Sequence, residues 1–304
     1  MSRGIAIFLC DITGVMSLPW VEAGYDAILV DPQHPEGVGH YANYKCSHTH
    51  LRTHDRQMFC KTCTDAGVEP SVAIRANGST TTKVGFIIDH PETWKVLREA
   101  IQTGRVVFVV GFPPCTDVAV SGTPQFARKF AADKHYQAKA ALVAEQCYTI
   151  GKLSGAPGFF ENPISVLSSI MGKPTHIFSP YQYTGFCERD NYFKSTCLWP
   201  YNGFEMPEVF MIEGVKRATE IVYSVLGRLP SSKKKMLDEH GHKFCDEFLA
   251  VINEFYPDDR IHKCPPGKNR ANFRSETPYG FSKAVFLKNA PHLKASKVDD
   301  GGEA

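Results

Sequence analysis

The chain opens on a short apolar run, Ile5-Ala-Ile-Phe-Leu9, that breaks into Asp11, Thr13 and Gly14. Val15 to Ala23 follows with helical spacing. Runs of similar length recur at Ala27–Val30, Val84–Ile88, Val106–Val110 and Gly158–Phe160, and their length suits buried strands. Lys134 to Leu153 reads as one long helix between the last two. Strands alternating with helices predict an α/β chain whose mostly parallel sheet is covered on both faces. Each apolar run ends in polar or reactive residues: Asp11, Asp31-Pro32, Asp89, Pro113-Pro114-Cys115, and Glu161-Asn162-Pro163. Ligands of such sheets sit outside the carboxyl ends of the strands, so the pattern focuses these residues on one rim.

Two regions fit the alternation poorly. Val38 to Thr82 is long, polar and His/Cys-rich, and reads as an insertion between the second and third strands. Tyr201 to Asn269 holds two amphipathic helices, about Glu208 to Leu226 and Lys243 to Phe255, and is expected to form a small second lobe. Thr277-Pro278 suits the N-cap and first position of a closing helix with Phe281, Ala284 and Val285 on its apolar face. The expected organisation is a core over residues 1–200 with an insertion at about 38–82, a lobe over 201–269, a closing helix within 270–290, and a flexible tail over 291–304.

The chain has 304 residues, 43% hydrophobic and 22% charged, which excludes disordered and collagen-like classes. No apolar run approaches the ~18 residues of a membrane span, and the N-terminus carries no secretory pattern, so a soluble cytoplasmic protein is expected. Ten cysteines in that setting point to reduced thiols, a metal site or a catalytic thiol. The net charge of +2 hides an asymmetry: Arg260 to Lys297 carries nine Lys/Arg against one acid, Glu276, leaving the remainder at −6. Arg260 to Arg274 mixes rigid turns, Phe273, Arg270 and Arg274, and reads as an edge for a polyanion. The end beyond Pro291 reads as a solvated tail.

A tight turn containing Gly14 after the first strand, with an acid ending the second, makes a nucleotide-type cofactor pocket. Asp31 suits the ribose hydroxyls and Asp89 an adenine amino group. Cys115 stands in a Pro-stiffened loop after a strand, which presents its thiol to the rim; such a thiol attacks only as thiolate. Glu161 at the next strand end supplies an acid. Sulfur adding to C6 of a pyrimidine, with the acid at N3, is the chemistry this pair can perform, and partial burial keeps the acid protonated. Separately, Cys60-Lys-Thr-Cys63 has zinc-knuckle spacing, with Cys46, His48, His50 and His54 upstream. A structural zinc on Cys46, His50, Cys60 and Cys63 is one reading; a polar surface loop with reduced thiols is the other.

These residues carry a resemblance. In order, Phe8-Leu-Cys-Asp-Ile-Thr-Gly14, Val30-Asp31, Ile88-Asp89, Gly111-Phe-Pro-Pro-Cys115, Phe160-Glu-Asn162, Lys194-Ser-Thr-Cys-Leu-Trp199 and Arg274-Ser-Glu-Thr-Pro-Tyr-Gly-Phe281 resemble the cytosine-5 DNA methyltransferases, in particular their compact phage and bacterial branch. The resemblance implies a Rossmann-like fold binding S-adenosylmethionine, with Asp11, Thr13, Gly14, Asp31, Asp89, Pro113 and Gly280 around the cofactor. It implies Cys115 as nucleophile, Glu161 at the N3 edge of the base, and Asn162 holding the loop. The partner it implies is double-stranded DNA with the target base flipped out, held by Lys194, Arg270 and Arg274 and read by the small lobe. The chain departs from the family at Ile12 (usually Gly), Thr116 (usually Gln) and Pro163 (usually Val). Its Arg-x-Arg strand is matched only by Lys194-Ser-Thr196. C5 modification of another pyrimidine or a nucleotide, and a silent DNA-binding relative, are the competing readings.

Overall fold

The computed structural model describes residues 2–46, 51–53, 74–261, 263–264 and 274–294. Its strands are β1 (Ile5–Leu9), β2 (Asp26–Val30), β3 (Val38–Cys46), β4 (Leu51–Thr53), β5 (Ile74–Val84), β6 (Val106–Gly111), β7 (Gly158–Pro163), β8 (His176–Phe178) and β9 (Thr196–Tyr201). The helices that frame them are α1 (Leu18–Glu22), α2 (Pro91–Gln102), α3 (Phe126–Ala132), α4 (Tyr136–Ser154), α5 (Leu167–Ile170), α6 (Glu213–Leu226), α7 (Lys233–His240), α8 (Asp246–Phe255) and α9 (Tyr279–Asn289).

Among the described residues the strands form one nine-stranded sheet in the order β4-β3-β5-β2-β1-β6-β7-β9-β8. Its middle five strands, β5 to β7 in that order, are mutually parallel. β9 runs antiparallel to β7 and to β8, and β3 antiparallel to β5 and to β4. The parallel strands run outward from β1 in both directions, so the chain reverses its winding between β1 and β6. That is where a crevice opens at the carboxyl ends.

β1 is buried along its whole length, and alternation divides its side chains between two cores. Ile5, Ile7 and Leu9 join Leu97 and Ala100 of α2 and Ala141, Ala144, Cys147 and Ile150 of α4. Ala6 and Phe8 join Trp20 and Val21 of α1 and Phe281, Ala284 and Val285 of α9. Helices therefore cover both faces, as the alternation predicts. A third cluster unites α6, α7 and α8 through Val222, Met236 and Ile252, with Phe193 and Tyr256 at its edge.

Gly111 ends β6 where α4 crosses closely: a Cβ there would lie 2.6 Å from Cys147 Cβ and 2.7 Å from its Sγ. Gly111→Ala is expected to destabilise the protein by about 1–3 kcal/mol through overpacking, read as a lowered midpoint in urea at unchanged slope.

Four expectations need correction. The third parallel strand is not Val84–Ile88 but β5, which ends at Val84. Its Thr80-Thr-Thr82 stretch suits a strand through β-branching, although it is polar. The apolar residues after it turn away, because Gly85 packs directly on the Pro35 carbonyl and donates its amide to Gly37 O. Nor is Val38–Thr82 wholly an insertion: β3, β4 and β5 extend the sheet. Buried Asn43 donates to Ser79 Oγ and accepts from Thr81 Oγ1, which satisfies its polar atoms inside that edge. At the small lobe, α6 starts at Glu213 rather than about Glu208, since Phe210 is held in a ladder between Gln182 O and the Gly185 amide. The closing helix is capped by Pro278 itself, one residue later than expected, and it runs on to Asn289.

Candidate active site

The site is built where β1, β6 and β7 end. Phe112 donates its amide to Leu9 O, which carries the chain straight out of β6, and Pro113 and Pro114 fix its direction. Cys115 follows, half-buried. Its carbonyl accepts from the amides of Val118 (3.1 Å) and Ala119 (2.9 Å), closing a tight turn. The next residues pair with the segment after β7: Ala119 bridges Ser165, Val120 donates to Ile164 O, and Val166 donates to Val118 O. On the outer side Lys129 of α3 pairs with Asp117 at 2.6 Å and donates to Thr116 O. The loop bearing the thiol is thus fastened on two sides.

Alternation along β7 sends Asn162 and Glu161 to opposite faces. Asn162 is 1% exposed and donates from Nδ2 to Pro113 O at 3.0 Å, so it holds the thiol loop, the role the resemblance implies. Glu161 enters a small recess walled by Phe112, Phe159, Phe178 and Phe281, with Lys194, Thr196 and Thr277 as its polar members. Its Oε2 is fully buried with no hydrogen-bond partner among the described residues. Burial pushes the Glu161 carboxyl up towards its protonated form, and Lys194 opposes the shift. Burial also pushes the Cys115 thiol up, reinforced by the charge of Glu161, while Lys194 and Arg274 pull it back down.

The far wall comes from the segment leading into α9. Lys194 Nζ donates to Glu276 O at 3.0 Å, and Thr277 and Pro278 line the recess. The first turn of α9 is pinned by Asp190, whose Oδ2 accepts the Gly280 amide at 2.7 Å. Gly280 is obligatory there, since a Cβ would lie 2.5 Å from Tyr183 O.

Beside this recess, β1 ends in Cys10 at φ 57 and then Asp11. Asp11 Oδ1 accepts from the amides of Thr13 (3.0 Å) and Gly14 (2.7 Å) and from Thr13 Oγ1, which folds the turn. Gly14 sits at φ 67, in the left-handed region that favours glycine. Asp11 Oδ2 is buried with no hydrogen-bond partner among the described residues, and burial pushes the carboxyl up. Asp31, at the end of β2, is also buried and accepts the Gln33 amide through Oδ1 at 2.8 Å. Two carboxyls held against their preferred solvation at adjacent strand ends suit a ligand bearing hydroxyl or ammonium donors.

Sequence reasoning passed over His34 and Lys83. His34 is 5% exposed and its Nε2 lies 3.1 Å from Asp11 O; burial holds its pKa below the ordinary value. Lys83 is held below its ordinary value by burial, with Asp11 opposing. The signal for His34 was present, three residues after Asp31 at a strand end. Lys83 was hidden by the misplaced third strand.

The other expected residues scatter. Asp89 is exposed beside the N-cap of α2. Pro113 is buried, its carbonyl engaged by Asn162. His50, Cys60, Cys63 and the Cys46 side chain lie outside the described residues, as does Arg270. The basic edge is less positive than its arithmetic. Arg260 forks onto Asp258, Lys263 pairs with Asp259, and Lys288 and Lys294 pair with Glu205. All four pairings use acids just before the segment or on the Glu205 loop, which the local count omitted. No helix among the described residues is long and apolar enough to cross a membrane. No protein-family model matches the chain, and no curated protein matches it.

Proposed function

We propose that this chain is an S-adenosylmethionine-dependent methyltransferase acting on C5 of cytosine in double-stranded DNA, with Cys115 as its nucleophile. One observation carries the reading: two zipped strand-end loops hold Cys115 close enough to Glu161 for the carboxyl charge to act on the thiol, and Glu161 lines a recess under the start of α9. The sheet order supports it too. Five parallel strands followed by a reversed β9 beside β8 fit the Rossmann-like methyltransferase fold that the resemblance implies.

The turn at β1 and the acid at β2 fit the cofactor: Asp31 would hold its ribose, and Gly14 lets the backbone approach. The unpartnered Asp11 Oδ2 suits its ammonium group. When bound, S-adenosylmethionine supplies the methyl group. The chain's own residues do the rest. Cys115 Sγ, once deprotonated, adds to C6 of a flipped-out cytosine, while neutral Glu161 donates a hydrogen bond or proton to N3, which turns C5 into a carbon nucleophile. Asn162 keeps the two loops at fixed separation throughout. After transfer, water takes the C5 proton, the Cys115 thiolate leaves, and any proton given to N3 returns to Glu161, which restores the aromatic ring.

A duplex carrying 5-fluorocytosine tests this, because fluorine blocks the final elimination. A denaturation-resistant protein–DNA adduct is expected with the unaltered chain and S-adenosylmethionine, mapping to Cys115. Failure to trap any adduct on a duplex that the protein binds counts against the reading. Asp31→Ala is expected to weaken S-adenosylmethionine binding about 10–100-fold by calorimetry, the worth of hydrogen bonds to a charged group. Unchanged affinity would remove Asp31 from the cofactor.

A further inference from the structure

Leu9, Val30 and Val84 are register partners at the ends of β1, β2 and β5, and one buried residue joins the loops that follow them. His34 donates its amide to Asp31 O at 3.0 Å, which closes the turn after β2. Its ring Nε2 lies 3.1 Å from Asp11 O, in the turn after β1. A carbonyl only accepts, so Nε2 carries the proton of this bond. On the third side the His34 and Pro35 carbonyls lie against Gly85, where a Cβ would stand 2.9 Å and 2.0 Å from their oxygens. The backbone of His34 is therefore fixed against the end of β5 while its ring reaches across to β1.

Two buried carboxyls stand at either end of that reach, on Asp11 and Asp31. Asp11 Oδ1 is taken by the amides of Thr13 and Gly14, and its Oδ2 has no hydrogen-bond partner among the described residues. The separation of the two residues is set by the β1–β2 pairing on one side and by the His34 bond on the other. A ligand gripped at both carboxyls gains from a fixed separation, because no loop has to be ordered as it binds. A ligand gripped at Asp31 alone gains nothing from it. Resting on the reading of this crevice as the cofactor site, we propose that His34 is a positioning residue that sets the spacing between Asp11 and Asp31. It thereby selects a nucleoside bearing an ammonium-carrying arm over one that offers its ribose alone.

The test is calorimetric binding of two probes. S-adenosylhomocysteine carries both the ribose and the ammonium group; 5′-methylthioadenosine carries the ribose and lacks the ammonium. His34→Leu removes the donor and is expected to weaken S-adenosylhomocysteine about tenfold, the worth of one hydrogen bond, while 5′-methylthioadenosine stays within about twofold of the parent. His34→Gln keeps an amide donor at the same reach and should restore the first affinity. His34→Asn is too short to reach Asp11 O, so it should repeat the Leu result, and it keeps a polar side chain in place if the Leu protein does not fold. Both probes weakened alike in the Leu and Asn variants, or neither weakened, would overturn the role of His34. So would a Gln variant that binds S-adenosylhomocysteine no better than the Leu and Asn variants do. Failure of the cofactor reading itself is seen separately, as an unaltered protein that binds neither probe, and it overturns both.

Discussion

Replacing Cys115 with Ala is expected to leave a folded protein that binds S-adenosylmethionine and transfers no methyl group. The structural part follows from where the thiol sits. Cys115 is half-buried on a loop whose shape is set by its own carbonyl, the Lys129 contacts and the Asn162–Pro113 bond, none of which uses the sulfur. Removing one atom there opens no cavity in either core. Cys147 and Cys197 are the contrast: both are buried, and burial pushes Cys197 up to about 11, as befits an inert packing thiol. The functional part follows from the chemistry, since C5 of cytosine is not nucleophilic until sulfur has added at C6. Turnover is expected to fall by more than about a thousandfold, with the melting temperature within a degree or two of the parent. Loss of soluble protein would show instead that Cys115 is a packing residue.

Glu161→Gln is expected to lower turnover about a hundredfold or more while making the protein more stable at neutral pH. The amide keeps the shape but cannot give up a proton to N3. Its effect on stability has the opposite sign for an electrostatic reason. Burial holds the folded-state pKa of Glu161 above its unfolded value, so the folded state binds the proton more tightly. Its ionisation therefore costs stability: the penalty is absent below the unfolded value of roughly 4.3, grows as pH rises to the folded value, and is constant above it. The neutral amide escapes that penalty. Thermal melts of the two proteins should differ most at neutral pH and converge in acid. Equal melts at both pH values would show that Glu161 is solvated, and near-normal turnover would remove it from catalysis.

How much of this was legible in the sequence depended on whether a hydrophobic run and a strand coincided. β1, β2, β6 and β7 each carry an apolar run because they lie in the middle of the sheet, and those runs stand out in the sequence. β5 is also central, but its buried positions include Ser79 and Thr81, satisfied by Asn43 across the β3 pairing. A polar strand whose hydrogen bonds close only in three dimensions leaves no apolar run, so the reading slid on to Val84–Ile88. The site divides in the same way. Cys115, Glu161 and Asn162 were legible because each stands directly at a strand end. The place of Lys194 in the recess was not, because its Nζ is held by the Glu276 carbonyl, 82 positions away in sequence. Counting charge along the segment likewise missed Asp258, Asp259 and Glu205, which neutralise much of it.

The most direct measurement is nucleoside mass spectrometry on DNA from cells expressing the unaltered chain and, in parallel, Cys115→Ala. A 5-methylcytosine signal with the first and none with the second is the expected result, and it joins reaction, base and nucleophile in one experiment. A modified nucleoside that persists in the Cys115→Ala cells, or no modified nucleoside in either, would contradict the assignment of this site.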